Sequence, residues 1–128
     1  MLEMALYSAI APVILLLLSS VVSYPAVLEE VVKWGILRFR IDDLRFGVYD
    51  GALVGLVFGL SEAVLYLSTA WGSGQWESLV WRLILTVPMH SLTGAIIGRG
   101  RGVRGGWVLV GVAMAVHAGF NYWVGLRS

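Results

Sequence analysis

Cysteine is absent from this 128-residue chain, which excludes disulfides, a thiolate metal site and a cysteine nucleophile. Charge is scarce: Asp, Glu, Lys and Arg make up 13% of residues, where a water-soluble domain carries about a quarter. An ordinary soluble globule is therefore excluded. Formal net charge is only +1, so intrinsic disorder, which needs low hydrophobicity and high net charge, is excluded as well. Nucleic acid is not an expected partner. Met1 to Ala5 contains no basic residue, and the apolar run that follows outlasts a typical signal-peptide core, so the first segment is expected to be a mature helix.

What the chain does have is apolar: 59% hydrophobic residues and a mean hydropathy of +0.84. Its sixteen Gly, six Trp and five Tyr suit a polytopic membrane protein, where Gly admits close helix contact and Trp and Tyr collect at interfaces. A membrane-spanning helix needs about 20 mostly apolar residues. Stretches of that kind run from Met4 to Tyr24, Phe46 to Trp71, Leu79 to Gly98 and Trp107 to Leu126. A shorter segment, Pro25 to Arg40, opens on Pro at a favoured helix start and carries Glu29, Glu30 and Lys33. The expected fold is one all-α transmembrane domain over residues 1–128, a bundle of about five helices.

The turns set the expected orientation. Arg38, Arg40, Arg45, Arg99, Arg101 and Arg104 sit in two turns, 38–45 and 99–105, whereas the Gly72 to Glu77 turn has no basic residue. The positive-inside rule places the two basic turns in the cytoplasm. If the short segment spans, the chain makes five passes with its C-terminus outside; if it is re-entrant, it makes four. Leu53-Val54-Gly55 resembles Leu109-Val110-Gly111, but the polar residues that follow fall out of phase, so these read as two Gly-rich packing helices.

Ionisable side chains cost about 2.5–3.5 kcal/mol at a helix centre on insertion scales, yet Glu29, Glu30, Lys33, Glu62, His90, His117 and Asn121 lie in or beside the apolar spans. At about 1.5 Å per residue, and with five passes, Glu29, Glu30, Glu62, His90, His117 and Asn121 all fall in the outer half of the bilayer. Residues three or four apart share a helix face, which aligns Glu29 with Lys33, Phe58 with Glu62, and His117 with Asn121. Gly51, Gly55, Gly59, Gly94 and Ala113 accompany them, so a tightly packed polar interior is expected. Each residue also has a plain structural role: Glu29 with Lys33 as a solvated i, i+4 pair, His90 and Asn121 as interhelical hydrogen bonders, Asp50 at the cytoplasmic boundary near Arg45. Trp71, Trp76, Trp81, Tyr122 and Trp123 suit interfacial anchors. The functional reading rests on the cluster.

Two neighbouring carboxylates in low dielectric cannot both ionise cheaply. A glutamate so placed can take a proton from water and return it to a leaving amine, and histidine or amide groups can bind the oxyanion. That inventory fits peptide-bond hydrolysis. Zinc is the alternative, with Glu30, His90 and His117 as ligands and water in the fourth position, but the one-helix H-E-x-x-H spacing is absent.

Glu29-Glu30-Val31-Val32-Lys33 forms E-E-x-x-K, Phe58 to Glu62 forms F-x-x-x-E, His90 stands alone on the next helix, and His117 to Asn121 forms H-x-x-x-N. This ordered set, covering residues 25–126, resembles the PrsW-type intramembrane proteases, relatives of the CAAX prenyl endopeptidase and bacteriocin-processing superfamily. The resemblance implies a glutamate-dependent, metal-independent hydrolase without cofactor in a prokaryotic plasma membrane, cutting a membrane-anchored protein such as an anti-sigma factor. It implies Glu29 and Glu30 as the water-activating pair; adjacent residues on a helix point about 100° apart, so one of the two is expected to face the water, with Glu30 preferred. Lys33 and Glu62 would organise the pair, His90 would assist the water or oxyanion, and His117 and Asn121 would bind the oxyanion. Family members commonly have more helices than this chain. The competing expectations are a non-catalytic scaffold or immunity-type protein and a small ion or metal transporter.

Overall fold

The computed structural model describes residues 2–18, 24–39 and 47–125. These form five helices: α1 (Leu2–Leu18), α2 (Pro25–Phe39), α3 (Gly47–Ser73), α4 (Trp76–Arg99) and α5 (Trp107–Gly125). The all-α bundle expected from the hydropathy pattern is what forms. α3, α4 and α5 are long and apolar enough to cross a membrane. The first segment, expected as a long span, has 17 helical residues among those described, about 25 Å at 1.5 Å per residue. Residues 19–23 of that expected stretch lie outside the described residues, as do Arg40 and Arg45. The 15 residues of α2 extend about 22 Å, short of a hydrocarbon core of about 30 Å.

The helices alternate in direction. Met4 at the start of α1, Leu37 at the end of α2, Val54 early in α3, Ile97 at the end of α4, and Val110 and Ala113 early in α5 pack into one buried apolar layer. The starts of the odd-numbered helices and the ends of the even-numbered ones therefore lie at one end of the bundle, the end of the Arg99 to Gly106 turn. Short turns keep neighbours antiparallel. α3 closes at Gly74, whose φ of +74° lets its N–H donate to the Ala70 carbonyl at 2.8 Å, the left-handed cap that glycine adopts without steric penalty. At the opposite end, Arg101 Nη1 reaches Asp50 Oδ2 at 3.4 Å, so Asp50 has its partner in the α4–α5 turn.

The tightest contact is between α3 and α4. Gly47, Gly51, Gly55 and Gly59 recur every four residues along one face of α3 and meet Gly98, Gly94, His90 and Val87 of the antiparallel α4. A Cβ on Gly51, Gly55, Gly94 or Gly98 would run into the facing carbonyl oxygen of Gly94, His90, Gly51 or Gly47. Small residues at this spacing let backbones touch where side chains would hold them apart. Ser91 Oγ adds a bond to the Ala52 carbonyl at 3.0 Å, and Ser61 Oγ one to the Ala9 carbonyl of α1. The glycine expectation fails on α5, where nothing lies within 4 Å of a Cβ on Gly111 or Gly119; Ala113, fully buried, is the small residue that packs there. Sequence repetition of Leu-Val-Gly does not reveal which side of a helix meets a neighbour.

Large apolar side chains cover the outside, with Leu6 and Ile14 on α1, Leu60 and Val64 on α3, and Ile84 and Leu92 on α4 all exposed. Of the charged side chains, Glu30 and Lys33 are fully buried inside, as a bilayer requires, while the exposed Glu3, Arg38, Glu77 and Arg99 lie at helix ends. Trp71, Trp76, Trp81, Tyr122 and Trp123 are exposed near the helix ends away from the basic turns, where interfacial aromatics belong. Gly51→Ala or Gly55→Ala is expected to destabilise the bundle by about 1–3 kcal/mol through overpacking, whereas Gly111→Ala and Gly119→Ala should stay within about 0.5 kcal/mol of wild type. Thermal unfolding in detergent measures both; equal effects at the two sets would contradict the α3–α4 contact.

Candidate active site

α2 is the short helix in the middle, packed against each of the other four. Its residues Glu30 and Lys33, three apart, lie on one face and are fully buried. The Lys33 ammonium has three protons and three partners: Glu30 Oε1 at 2.7 Å, His90 Nδ1 at 2.8 Å and Thr93 Oγ1 at 3.0 Å. The lysine therefore pairs with Glu30 at i, i+3; the solvated Glu29–Lys33 pair, which i, i+4 spacing permits, does not form. A buried charge is tolerated only when paired and hydrogen-bonded, and this one is saturated.

From Lys33 the network spreads to α3 and α5. Glu30 Oε1 also lies 3.2 Å from Thr93 Oγ1, whose one proton is shared with the His90 carbonyl at 3.1 Å, and pairs with His117 Nδ1 of α5 at 2.7 Å. His90 Nε2 lies 2.6 Å from Glu62 Oε2 of α3. The Phe58 ring underlies the group, 5.3 Å from the His90 ring and 5.0 Å from Lys33 Nζ, a cation–π distance. The two imidazoles meet edge to face at 4.9 Å. The glycine stripe positions this contact, because Gly59 leaves a Cβ site only 3.2 Å from the His90 side chain. Glu62 and Phe58, on adjacent turns of α3, are thereby held against α4.

Hydrogen-bond partners assign the histidine tautomers. Lys33 offers only donors, so His90 Nδ1 accepts and His90 Nε2–H donates to Glu62. Glu30 offers only acceptors, so His117 Nδ1–H donates and, in the neutral ring, His117 Nε2 carries a lone pair. That lone pair lies 3.6 Å from Glu29 Oε2, and His90 Nε2 lies 4.0 Å from the same oxygen. Glu29 Oε2 and Glu30 Oε2 are buried and have no hydrogen-bond partner among the described residues. The two carboxylates thus differ: Glu30 is clamped by three donors at 0% exposure, while the side chains of Glu29 and Glu62 are 15% and 19% exposed and form the accessible edge.

Of the residues singled out in the sequence, Glu29, Glu30, Lys33, Phe58, Glu62, His90 and His117 come together in one place. Asn121 does not join them; it is exposed, one turn beyond His117. The i, i+4 relation keeps it on the His117 side of α5, but its side chain is left exposed and not turned into the cluster. Thr93 was overlooked, although a hydroxyl three residues after His90 on the same face was the available signal.

A metal could draw on Glu29, His90 and His117, whose ligand atoms lie within 4.8 Å of one another; Glu29 replaces the Glu30 expected from sequence, because Glu30 is spent on Lys33 and His117. His117 suits the role, since its Nδ1–H is held by a carboxylate as in histidine-liganded zinc sites. His90 does not. Coordination through its Nε2 would move the ring proton to Nδ1, facing the Lys33 ammonium donor to donor. The donor set supplies two of the three ligands that a catalytic zinc requires.

No family model, curated protein or solved structure matches the chain.

Lys33→Met, which leaves Glu30 buried without its cation, is expected to cost about 3–5 kcal/mol. Lys33→Met combined with Glu30→Met should recover much of that loss. Denaturant unfolding of the single and double variants, read as a double-mutant cycle, checks the coupling; additive losses would contradict it.

Proposed function

We propose that this protein is a glutamate-dependent intramembrane endopeptidase of the PrsW type, and that Glu29, not Glu30, is its general base. One observation carries the reading: a buried carboxylate oxygen with no hydrogen-bond partner among the described residues, Glu29 Oε2, lies 3.6 Å from the unprotonated Nε2 of His117. Two acceptors so placed hold both protons of a substrate water and leave its lone pair free to attack. Glu29 takes one proton as the water oxygen bonds to the scissile carbonyl carbon. The same carboxyl then delivers that proton to the leaving amine as the C–N bond breaks, the ordinary double use of a general acid–base.

The other residues take supporting parts. Glu30 fixes the His117 tautomer, Lys33 holds Glu30 and His90, and Glu62 turns the His90 ring by accepting its Nε2–H. His117 serves as an acceptor for the water in place of the oxyanion role that the resemblance implies. Asn121, exposed one turn outward on α5, is the amide available to the carbonyl oxygen. The reading is metal-independent because Lys33 presents donors to His90. With the basic turns in the cytoplasm, the accessible edge at Glu29 and Glu62 faces the outer half of a prokaryotic plasma membrane. The substrate is then a membrane-anchored protein cut near that face, with an anti-sigma factor as one example.

Purified protein is tested in detergent against a panel of single-span substrates, with and without a chelator. Glu29→Gln should lower the cleavage rate by about 10²-fold or more without loss of folding, while the chelator leaves wild-type cleavage intact. Activity that disappears with chelation and returns with zinc, or that survives in Glu29→Gln, would sink this reading. Altered ion flux without any cleavage would favour a transporter, and tolerance of the substitution in both assays a scaffold.

A further inference from the structure

Arg82 is a charged residue within a span that the mechanism leaves unused. Arg82 lies six residues into α4, about 9 Å from its start at 1.5 Å per residue, at the end of the bundle away from the basic turns. A guanidinium at that depth is costly unless it reaches the interface or finds a partner. None of the ion pairs among the described residues includes Arg82; it lies over the Tyr66 ring, 3.8 Å from the centroid. Together with Tyr66, Thr69, Gln75 and Ser78 it lines a cavity of about 130 Å³ between the outer ends of α3 and α4. Tyr66 follows Glu62 by one turn on the same face of α3, so this cavity lies beside the glutamate cluster.

The lining chemistry selects an anion. Arg82 offers a planar fork of N–H donors suited to phosphate. The Thr69 and Ser78 hydroxyls and the Gln75 amide are neutral donors around it. Among the described residues no carboxylate lines the cavity, so none of them receives a headgroup ammonium there. The level in the membrane selects the source: Trp71 and Trp76, both exposed, meet edge to face at 5.7 Å beside the cavity, and paired indoles mark the depth of phospholipid headgroups.

We propose that the Arg82 cavity binds the phosphate of an anionic phospholipid headgroup, so that a lipid seats against the wall formed by Tyr66. Native mass spectrometry of the full chain, titrated with phosphatidylglycerol, with diacylglycerol of the same acyl chains, or with inorganic phosphate, tests this without any cleavage assay. The expected result is one phosphatidylglycerol retained per chain, at a concentration at least about tenfold lower for wild type than for Arg82→Gln, with diacylglycerol not retained. Arg82→Lys, which keeps the charge but not the fork, should fall between; it serves as the test variant if circular dichroism shows Arg82→Gln misfolded. Displacement of the lipid by inorganic phosphate supports the phosphate site. Arg82-dependent binding of inorganic phosphate without lipid retention supports the phosphate chemistry and overturns the lipid source. Equal retention of phosphatidylglycerol by wild type and both Arg82 variants, or of diacylglycerol and phosphatidylglycerol by wild type, overturns the proposal.

Discussion

A single buried ammonium organises the polar interior. Lys33 spends its three protons on Glu30 of its own helix and on His90 and Thr93 of α4. Glu30 passes the connection to His117 on α5, and His90 passes it to Glu62 on α3. Four helices are thus joined through one cation in surroundings where an unpaired charge would be far costlier than any single hydrogen bond is stabilising. The same lysine sets the chemistry. By donating to His90 Nδ1 it makes that ring a donor toward Glu62, and by holding Glu30 as an acceptor it leaves His117 with a lone pair facing Glu29.

This arrangement depends on how closely the apolar framework lets the helices approach. The α3 glycines bring its backbone against α4, which places His90 beside Phe58 and within reach of Glu62. Beneath the polar layer, Met4, Leu37, Val54, Ile97, Val110 and Ala113 form the dry layer near the basic turns. Burial there anchors all five helices, while the orphaned carboxylate oxygens sit above, toward the opposite end. The framework supplies stability, and the polar layer carries the strain of unsatisfied groups, a division common at functional sites.

Much of this was legible in the sequence, because hydropathy and turn composition respond to the same constraints as the bundle itself. Pro25 opens α2 and Trp107 opens α5 where the pattern expects them. Membership of the cluster was legible too, since an ionisable residue in an apolar span has few alternatives to a polar interior. Its wiring was not. Spacings of three and four residues share a face, so Lys33 could equally have paired with Glu29 or Glu30. Only the position of α4 and α5 around α2 decides that Glu30 is clamped and Glu29 left open. Asn121 shares a side with His117 but is exposed, and Gly111 sits on a face of α5 that no described residue covers. Arg82 carries no orientation signal, because it lies within a span and not in a turn.

The central claim, that Lys33 fixes opposite tautomers on two neighbouring imidazoles, is open to direct measurement. The chain has only two histidines, so ¹⁵N-histidine labelling and solid-state NMR in bilayers resolve both rings. The account predicts His90 protonated at Nε2 and bare at Nδ1, and His117 protonated at Nδ1, with the His90 pattern lost in a folded Lys33→Met, Glu30→Met protein. A proton on His90 Nδ1 in the wild-type protein would contradict it.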